Sequence, residues 1–155
     1  MHYKEFFNAY MSAAEFAGRP RNFTLAGIEK KTFTDEKRGK TEDRAVVHVK
    51  ETPAKFVCNR TNLESLAHLF GAETDKWMGR RVTLTPAKVN FGSSVVDGIR
   101  VLGSPEIDKP VEFELRLPRK KPATVTLVPT DKETGRPRTA LAPTRDPGSD
   151  DGEVR

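Results

Sequence analysis

Basic and aromatic side chains recur through the middle of this sequence at spacings that could serve a polyanionic ligand. Arg44, His48 and Lys50 take even positions of a run whose odd positions hold Val47 and Val49. A β-strand would therefore place the three basic side chains on one face and the valines on the other. Basic side chains follow phosphates, and exposed aromatic rings stack on bases. The candidate nucleic-acid-binding residues are Lys30, Lys31, Phe33, Arg44, His48, Lys50, Lys55, Phe56, Lys88, Phe91 and Arg100.

The same pattern has a plainer interpretation, because alternating polar residues are also the ordinary solvent-exposed face of a strand. Phe56 lies in an apolar run and suits a core position, and Trp77 suits a packing anchor. Phe91 is a stronger ligand candidate, since it stands at a hairpin tip beside a glycine. Acidic residues offset the bases of the first loop, at positions Asp35, Glu36, Glu42 and Asp43.

The charge balance favours an anionic partner without deciding the fold. The 155 residues include 27 Lys and Arg against 22 Asp and Glu, which gives a net charge of +5. The whole excess lies in residues 1–103, which hold 17 basic and 12 acidic residues. A basic surface of this kind is typical of proteins that bind nucleic acid or another polyanion.

Several classes of protein are disfavoured by the residues that the sequence lacks. Cys58 is the single cysteine, so no intrachain disulfide or cysteine-rich metal site is expected. No glycine-rich phosphate loop or nucleophile motif is visible, so we expect neither an enzyme nor a cofactor. No apolar run approaches the roughly 20 residues that span a bilayer, so we expect an intracellular protein without a membrane partner.

The predicted elements are short strands interrupted by one helix. Strands are expected over residues 22–34, 44–50, 54–59, 80–89 and 95–103. The change of parity at Gly27 predicts a β-bulge in the first strand. Thr61 and Glu64 predict a capping box that opens a helix, and Gly71 is expected to end it. Two further strands are expected at 111–117 and 123–128.

Five strands with a helix between the third and the fourth predict the OB-fold, a five-stranded Greek-key barrel. That fold binds single strands on the face of its second and third strands, between the loops that join strands one to two and four to five. The predicted organisation is an N-terminal helical arm (1–20), the barrel (21–103), accessory strands (104–128) and a disordered tail (129–155).

Four short motifs follow one another in a fixed order: Asn59–Asn62, Asp75–Gly79, Val82–Leu84 and Ile99–Val101. They resemble a family of small phage and prophage proteins in which an Asn-(Lys/Arg)-Thr-Asn turn leads into a helix. An Asp-x-Trp-x-Gly segment, a Val/Ile-x-Leu strand and an Ile-Arg-Val strand then follow. The match covers residues 10–103. The resemblance implies an OB-like fold and a role in phage DNA replication or recombination in the cytoplasm of a bacterial host.

Two functions remain open at this point. The first is binding of single-stranded DNA without sequence preference, through charge and stacking, alongside phage or host replication and recombination proteins. The second is a protein-interaction module that uses the same barrel without nucleic acid. The strict alternation of residues 111–117 makes that segment a candidate edge strand for pairing with a partner or with a second copy.

Overall fold

The computed structural model describes residues 10–37, 39–91 and 94–138. Within them the chain is mainly β, with seven strands and one α-helix. The strands are β1 (Arg21–Asp35), β2 (Lys40–Val49), β3 (Phe56–Cys58), β4 (Arg81–Phe91), β5 (Ser94–Ser104), β6 (Val111–Leu115) and β7 (Ala123–Pro129). Helix α1 (Arg60–Phe70) lies between β3 and β4, and short 3₁₀ helices span Ala13–Phe16 and Thr74–Trp77.

All seven strands belong to one sheet, in the order β3-β2-β1-β4-β5-β7-β6. The mainly-β prediction is therefore confirmed, but the sheet has seven strands where five were expected in a barrel. The neighbours pair antiparallel, apart from the parallel contact of β5 with β7. That contact requires Gly103, because a Cβ there would overlap the carbonyl oxygen of Val128.

The first strand is long because it pairs with two different neighbours. Its beginning pairs with β4, from Arg21 to Thr24, and its remainder pairs with β2. The register of β1 against β2 shifts between Leu25 and Gly27, which confirms the predicted bulge. A bulge bends the strand and increases its twist, so β1 can leave one neighbour and join the other.

One hydrophobic core joins the sheet and the helix. It collects side chains from every strand and from α1, including Leu25, Val47, Leu66, Leu84 and Phe113. Trp77, expected as a packing anchor, is 2% exposed in this core, and its indole nitrogen donates to the carbonyl of Gly71 at 2.8 Å.

The start of α1 differs from the predicted capping box. The side chain of Asn59, rather than that of Thr61, accepts a hydrogen bond from the backbone nitrogen of Asn62 at 2.9 Å. Asparagine caps helices at least as well as threonine, and the cap lies two residues earlier than predicted. Gly71 ends the helix with a φ of 103°, which favours glycine.

The predicted start of the disordered tail, at residue 129, lies too early in the chain, because the structure describes residues 129–138 packed against the sheet. Thr130 and Gly135 are buried, and the side chain of Asn22 donates to the carbonyl of Asp131 at 2.9 Å. The hydroxyl of Thr130 lies 2.7 Å from that of Thr83 on β4. These polar contacts hold residues 129–138 against the sheet without an apolar pattern that the sequence could reveal. Residues 139–155 lie outside the described residues, as do residues 1–9 of the predicted arm.

Candidate nucleic-acid interface

The strand pairing places several of the predicted basic residues on one surface, here called the outer face. Lys31 pairs with Arg44, and Glu29 pairs with Val46, so these side chains share one side of β1 and β2. Val46 is fully buried but lies outside the hydrophobic core cluster that contains Val47. The outer face is therefore the side of the sheet opposite the core. Because Val46 on this face is buried, other residues of the chain must cover it there. It comprises Glu29, Lys31, Phe33, Arg44, Val46, His48, Lys50, Lys55 and Val57.

The N-terminal segment supplies part of that cover. Tyr10 pairs with Lys55 in a parallel bridge, and the backbone nitrogen of Met11 donates to the carbonyl of Lys55 at 2.8 Å. The hydroxyl of Tyr10 accepts a hydrogen bond from Lys31 on β1 at 3.0 Å. Because β2 lies between Lys55 and β1 in the sheet, the Tyr10 side chain must cross β2 on the outer face.

Tyr10 and Phe33 form an aromatic pair beside a cation. Their ring centroids lie 5.8 Å apart in an edge-on arrangement, and Nζ of Lys31 lies 5.7 Å from the Tyr10 centroid. The hydrogen bond to Tyr10 is the main cause that raises the pKa of Lys31, so the ammonium stays charged. Phe33 is among the predicted contacts, whereas Tyr10 is not, because it belongs to the N-terminal arm (1–20) that the sequence predicts to be helical.

Two predicted bases on the outer face are paired with acidic neighbours. Nη2 of Arg44 lies 3.0 Å from a carboxylate oxygen of Glu42, and Nε2 of His48 lies 2.5 Å from Oε2 of Glu29. The hydrogen bond from His48 lowers the pKa of Glu29, and the charges of His48, Lys55 and Lys31 add to the effect. These pairs reduce the positive charge that the face presents to a phosphate.

Lys30, Lys50 and Lys55 have no ion-pair partner within 4.0 Å among residues 10–37, 39–91 and 94–138. Lys50 and Lys55 belong to the outer face, and Lys55 also lies near enough to Glu29 to lower its pKa. Lys30 pairs with Ala45, which packs against the core. It therefore points to the opposite side, away from the other candidates.

The second predicted frame of the site, the β4–β5 hairpin, presents less free charge. Lys88 is ion-paired with its cross-strand neighbour Asp97. The backbone of Phe91 pairs with Ser94, but the Phe91 side chain lies outside what the structure describes. Arg100 alternates with the core residue Val101 and is half-buried, and this burial lowers its pKa. Its Nη1 is buried without a hydrogen-bond partner in the described part of the chain.

Phe56, like Lys30, is a predicted contact that the structure places away from the outer face. Its side chain is 2% exposed and belongs to the hydrophobic core. It therefore cannot stack on a base, and its inclusion among the ligand contacts is wrong. The apolar run around it, which also suited a core position, was the better guide.

A cleft of about 340 Å³ lies between β3 and the middle of β5, and the N-terminal segment lines it through Met11, Ser12 and Ala13. Across the cleft Asn62 binds the edge of β5 with both ends of its side-chain amide. It donates to the carbonyl of Ile99 at 2.9 Å and accepts from the nitrogen of Val101 at 3.1 Å. Asn62 is 2% exposed, so a buried side chain satisfies the edge of β5 where a strand could otherwise pair.

Within the described ranges, no cluster of three or more histidine, cysteine, aspartate or glutamate side chains could hold a metal ion. None of the helices found there has the length and apolar character needed to cross a membrane. No protein-family model, curated protein or solved structure matches this chain.

Proposed function

We propose that this protein binds single-stranded DNA on the outer face, with Tyr10 and Phe33 as the stacking platform. The observation that carries the proposal is the aromatic pair beside Lys31. Exposed or half-buried aromatic rings next to cations on a strand surface are the features that hold single strands without sequence preference. Lys50 and Lys55 extend the same face with cations that form no ion pair among the described residues.

The architecture that we infer is an OB-fold whose sheet has been extended. Three observations support this inference: α1 follows β3, β1 pairs with both β2 and β4, and β4 pairs with β5 as a hairpin. The described residues contain no ladder between β3 and β5, which would close such a barrel. Asn62 and the segment that begins at Tyr10 occupy that gap instead, and β7 and β6 continue the sheet beyond β5.

The N-terminal segment is part of the proposed site rather than an obstacle to it. Tyr10 crosses the outer face, and its ring contacts both Lys31 and Phe33. A ligand on this face therefore meets Tyr10 directly. The role that we propose, in phage replication or recombination in the bacterial cytoplasm, follows from the resemblance of the sequence motifs, with phage or host proteins of those processes as partners.

The test is a salt series with a fluorescently labelled oligothymidylate. We expect affinity that falls with added salt, because phosphate contacts release counterions. Tyr10→Leu combined with Phe33→Leu should weaken binding by about tenfold or more, since stacking contributes about 1–3 kcal/mol per base. Tyr10→Phe is the matched control: it keeps the ring, removes the hydroxyl and should retain most of the affinity. No binding at low salt, or equal affinity of the leucine variant, would contradict the proposal.

A second function is favoured by the position of β6 at the end of the sheet. In the described part of the chain β6 pairs only with β7, so one of its edges has no strand neighbour. Its outward residues Glu112 and Glu114 are exposed. Residues 111–117 could therefore pair with a partner or with a second copy. Light scattering tests this function by measuring whether the protein forms a dimer as its concentration rises. A dimer that is lost in Glu112→Pro, which removes a backbone donor from β6, would favour this function over nucleic-acid binding.

A further inference from the structure

The edge of β2 that extends past β3 forms one wall of a groove. β2 spans Lys40–Val49, but β3 pairs with it only from Ala45 to Val47. The chain turns into α1 at Arg60, directly after β3 ends. Residues 40–44 consequently have β1 on one side and no strand from the described residues on the other. An unpaired strand edge presents backbone donors and acceptors to any extended chain that approaches it.

Helix α1 forms the opposite wall, and the groove between the two walls is mainly apolar. A cavity of about 540 Å³ is lined by Ala45, Cys58, Leu63, Ala67 and Trp77, among others. A second cavity of about 390 Å³ shares Ala45 and Leu63 and continues along β1. Volumes in this range are typical of ligand sites. We call this continuous surface the edge groove, and its residues are Ile28, Glu29, Lys30, Glu42, Asp43, Arg44, Ala45, Cys58, Asn59, Arg60, Leu63, Glu64, Ala67, Ala72, Thr74 and Trp77.

Ala45 of β2 and Ala67 of α1 both line the groove, and their small side chains leave room for a larger apolar side chain of a partner. Leu63 of α1 is only half-buried although it packs against the core. The stripe of apolar residues on α1 is thus wider than the core requires. A partner with an apolar side chain at this position would bury the remainder.

The ionisable side chains around the groove carry both signs, and Lys30 and Asp43 are the two without an ion pair in the described ranges. Arg60 is paired with Glu64 at 3.6 Å, and Arg44 is paired with Glu42. Asp43 accepts a hydrogen bond from the hydroxyl of Thr32 at 2.6 Å but has no cation within 4.0 Å in the described ranges. A basic side chain of a partner near Asp43 would supply the cation that this carboxylate lacks.

We propose that the edge groove binds an extended peptide of a partner protein, which adds a strand to β2 in line with β3. The peptide places an apolar side chain against Ala45 and Ala67 and a basic side chain beside Asp43. Strand addition of this kind obtains affinity from backbone hydrogen bonds and specificity from the side chains that alternate into the groove.

Ala45, Cys58 and Trp77 of the groove lie on the core side of the sheet, whereas the stacking pair of Tyr10 and Phe33 lies on the outer face, and Glu29 and Arg44 border both. The two sites can therefore be tested separately. Trp77 lines the groove and is the single tryptophan of the sequence, so its emission reports on occupancy. The amide signals of residues 41–45 report on backbone pairing.

The probe is a short capped peptide of alternating leucine and lysine, added to the full chain. We expect a shift of Trp77 emission, new protection of the amides at 41–45, and binding about tenfold weaker for two control peptides. One control replaces lysine with glutamate, and the other carries N-methyl groups on the backbone. Equal binding of all three peptides, or no response of Trp77 and the amides, would overturn the proposal.

Two variants locate the binding site on the groove. Ala67→Arg fills the groove and should weaken the peptide about tenfold, whereas Ala123→Arg on exposed β7 should not. Asp43→Lys provides a test that does not depend on filling a half-buried position: it should reverse the preference, so that the glutamate peptide binds more tightly than the lysine peptide. An unchanged preference in Asp43→Lys, or displacement of the peptide by oligothymidylate, would contradict the assignment.

Discussion

The β1–β2 pair and the β4–β5 pair have similar geometry but present their charges differently. Both are long antiparallel pairs, and each carries a lysine that the sequence marked as a ligand contact. Lys31 on β1 faces Arg44 across the ladder and reaches the hydroxyl of Tyr10. Lys88 on β4 faces Asp97 and is ion-paired with it. The cross-strand neighbour, rather than the lysine itself, decides how much charge each pair offers to a ligand.

The two pairs also differ in how their surfaces are covered. The β1–β2 pair has Tyr10 on its outer face and the edge groove beside α1 on its other side. The β4–β5 pair exposes apolar side chains near its tip, with Val95 64% and Val96 40% exposed. Single exposed valines carry little information. The β1–β2 pair therefore combines more of the features expected of binding surfaces.

The largest effect on stability is expected at Asn62, which connects α1 to the edge of β5. Asn62→Ala removes both hydrogen bonds to β5 and leaves the carbonyl of Ile99 and the nitrogen of Val101 without their partner. Because each buried unsatisfied group costs about 1–3 kcal/mol, we expect a loss of about 2–4 kcal/mol in the free energy of unfolding. Urea denaturation measures this change. The exposed substitution Glu73→Ala should change it little, and a comparable loss in both variants would contradict the role of Asn62.

The next largest effect is expected on oligothymidylate affinity, where Lys55, which has no ion pair in the described ranges, is compared with the ion-paired Lys88. Lys55→Gln removes a cation of the outer face, whereas Lys88→Gln combined with Asp97→Asn removes a whole ion pair and keeps the net charge. We expect oligothymidylate affinity at low salt to fall several-fold in the first variant and to stay nearly unchanged in the second. Fluorescence anisotropy measures both. Equal losses of affinity in the two variants would show that the β4–β5 hairpin contributes as much to oligothymidylate binding as the outer face does, which would contradict the difference between the two pairs.

The succession of strands along the chain and the place of α1 could be predicted from sequence because local patterns carry them, unlike the order of the strands within the sheet. Alternating apolar residues located the strands, the parity change at Gly27 located the bulge, and the stripe ending at Phe70 located the helix. These signals depend only on neighbours in the chain. Register and strand order do not, so the seven-stranded sheet and the pairing of Lys88 with Asp97 needed coordinates.

The candidate site was predicted only in part, for the same reason. Phe33 and Lys31 were named from their positions near the first loop, but Tyr10 stands 21 residues away from Lys31. Its contact depends on the segment that runs along Lys55, and no local pattern encodes that path. Asn62 was likewise hidden, since a polar residue in the first turn of a helix usually faces solvent or caps the helix. The polar contacts of Thr130 are of the same kind.

A smaller effect on the salt dependence of binding should follow when the acidic partner of the Lys88–Asp97 ion pair in the β4–β5 hairpin is removed. Asp97→Asn leaves Lys88 without its carboxylate partner and makes the hairpin resemble the outer face. If Lys88 then reaches a phosphate, the slope of log affinity against log salt should steepen by about 0.7, the value for one contact to a single strand. Asp75→Asn, on the exposed second 3₁₀ helix, raises the net charge equally and is the control. Equal slopes in the two variants would mean that Lys88 lies beyond the reach of the ligand.

The smallest effect concerns acid and the pair between Glu29 and His48 on the outer face. The hydrogen bond from His48 lowers the pKa of Glu29 below its ordinary value of 4.5. A carboxyl with a lowered pKa in the folded state contributes stability that is present above pH 4.5 and is lost as the pH falls through the folded pKa. Glu29→Gln lacks this contribution, so its urea midpoint should fall less than that of the unmodified protein between neutral pH and pH 3. The effect is small because both side chains are partly exposed. The matched control is Glu112→Gln at an exposed position of β6, and its urea midpoint should change with pH as that of the unmodified protein does. If the midpoint of Glu29→Gln also follows the unmodified protein, the pair of Glu29 and His48 does not stabilise the β1–β2 pair.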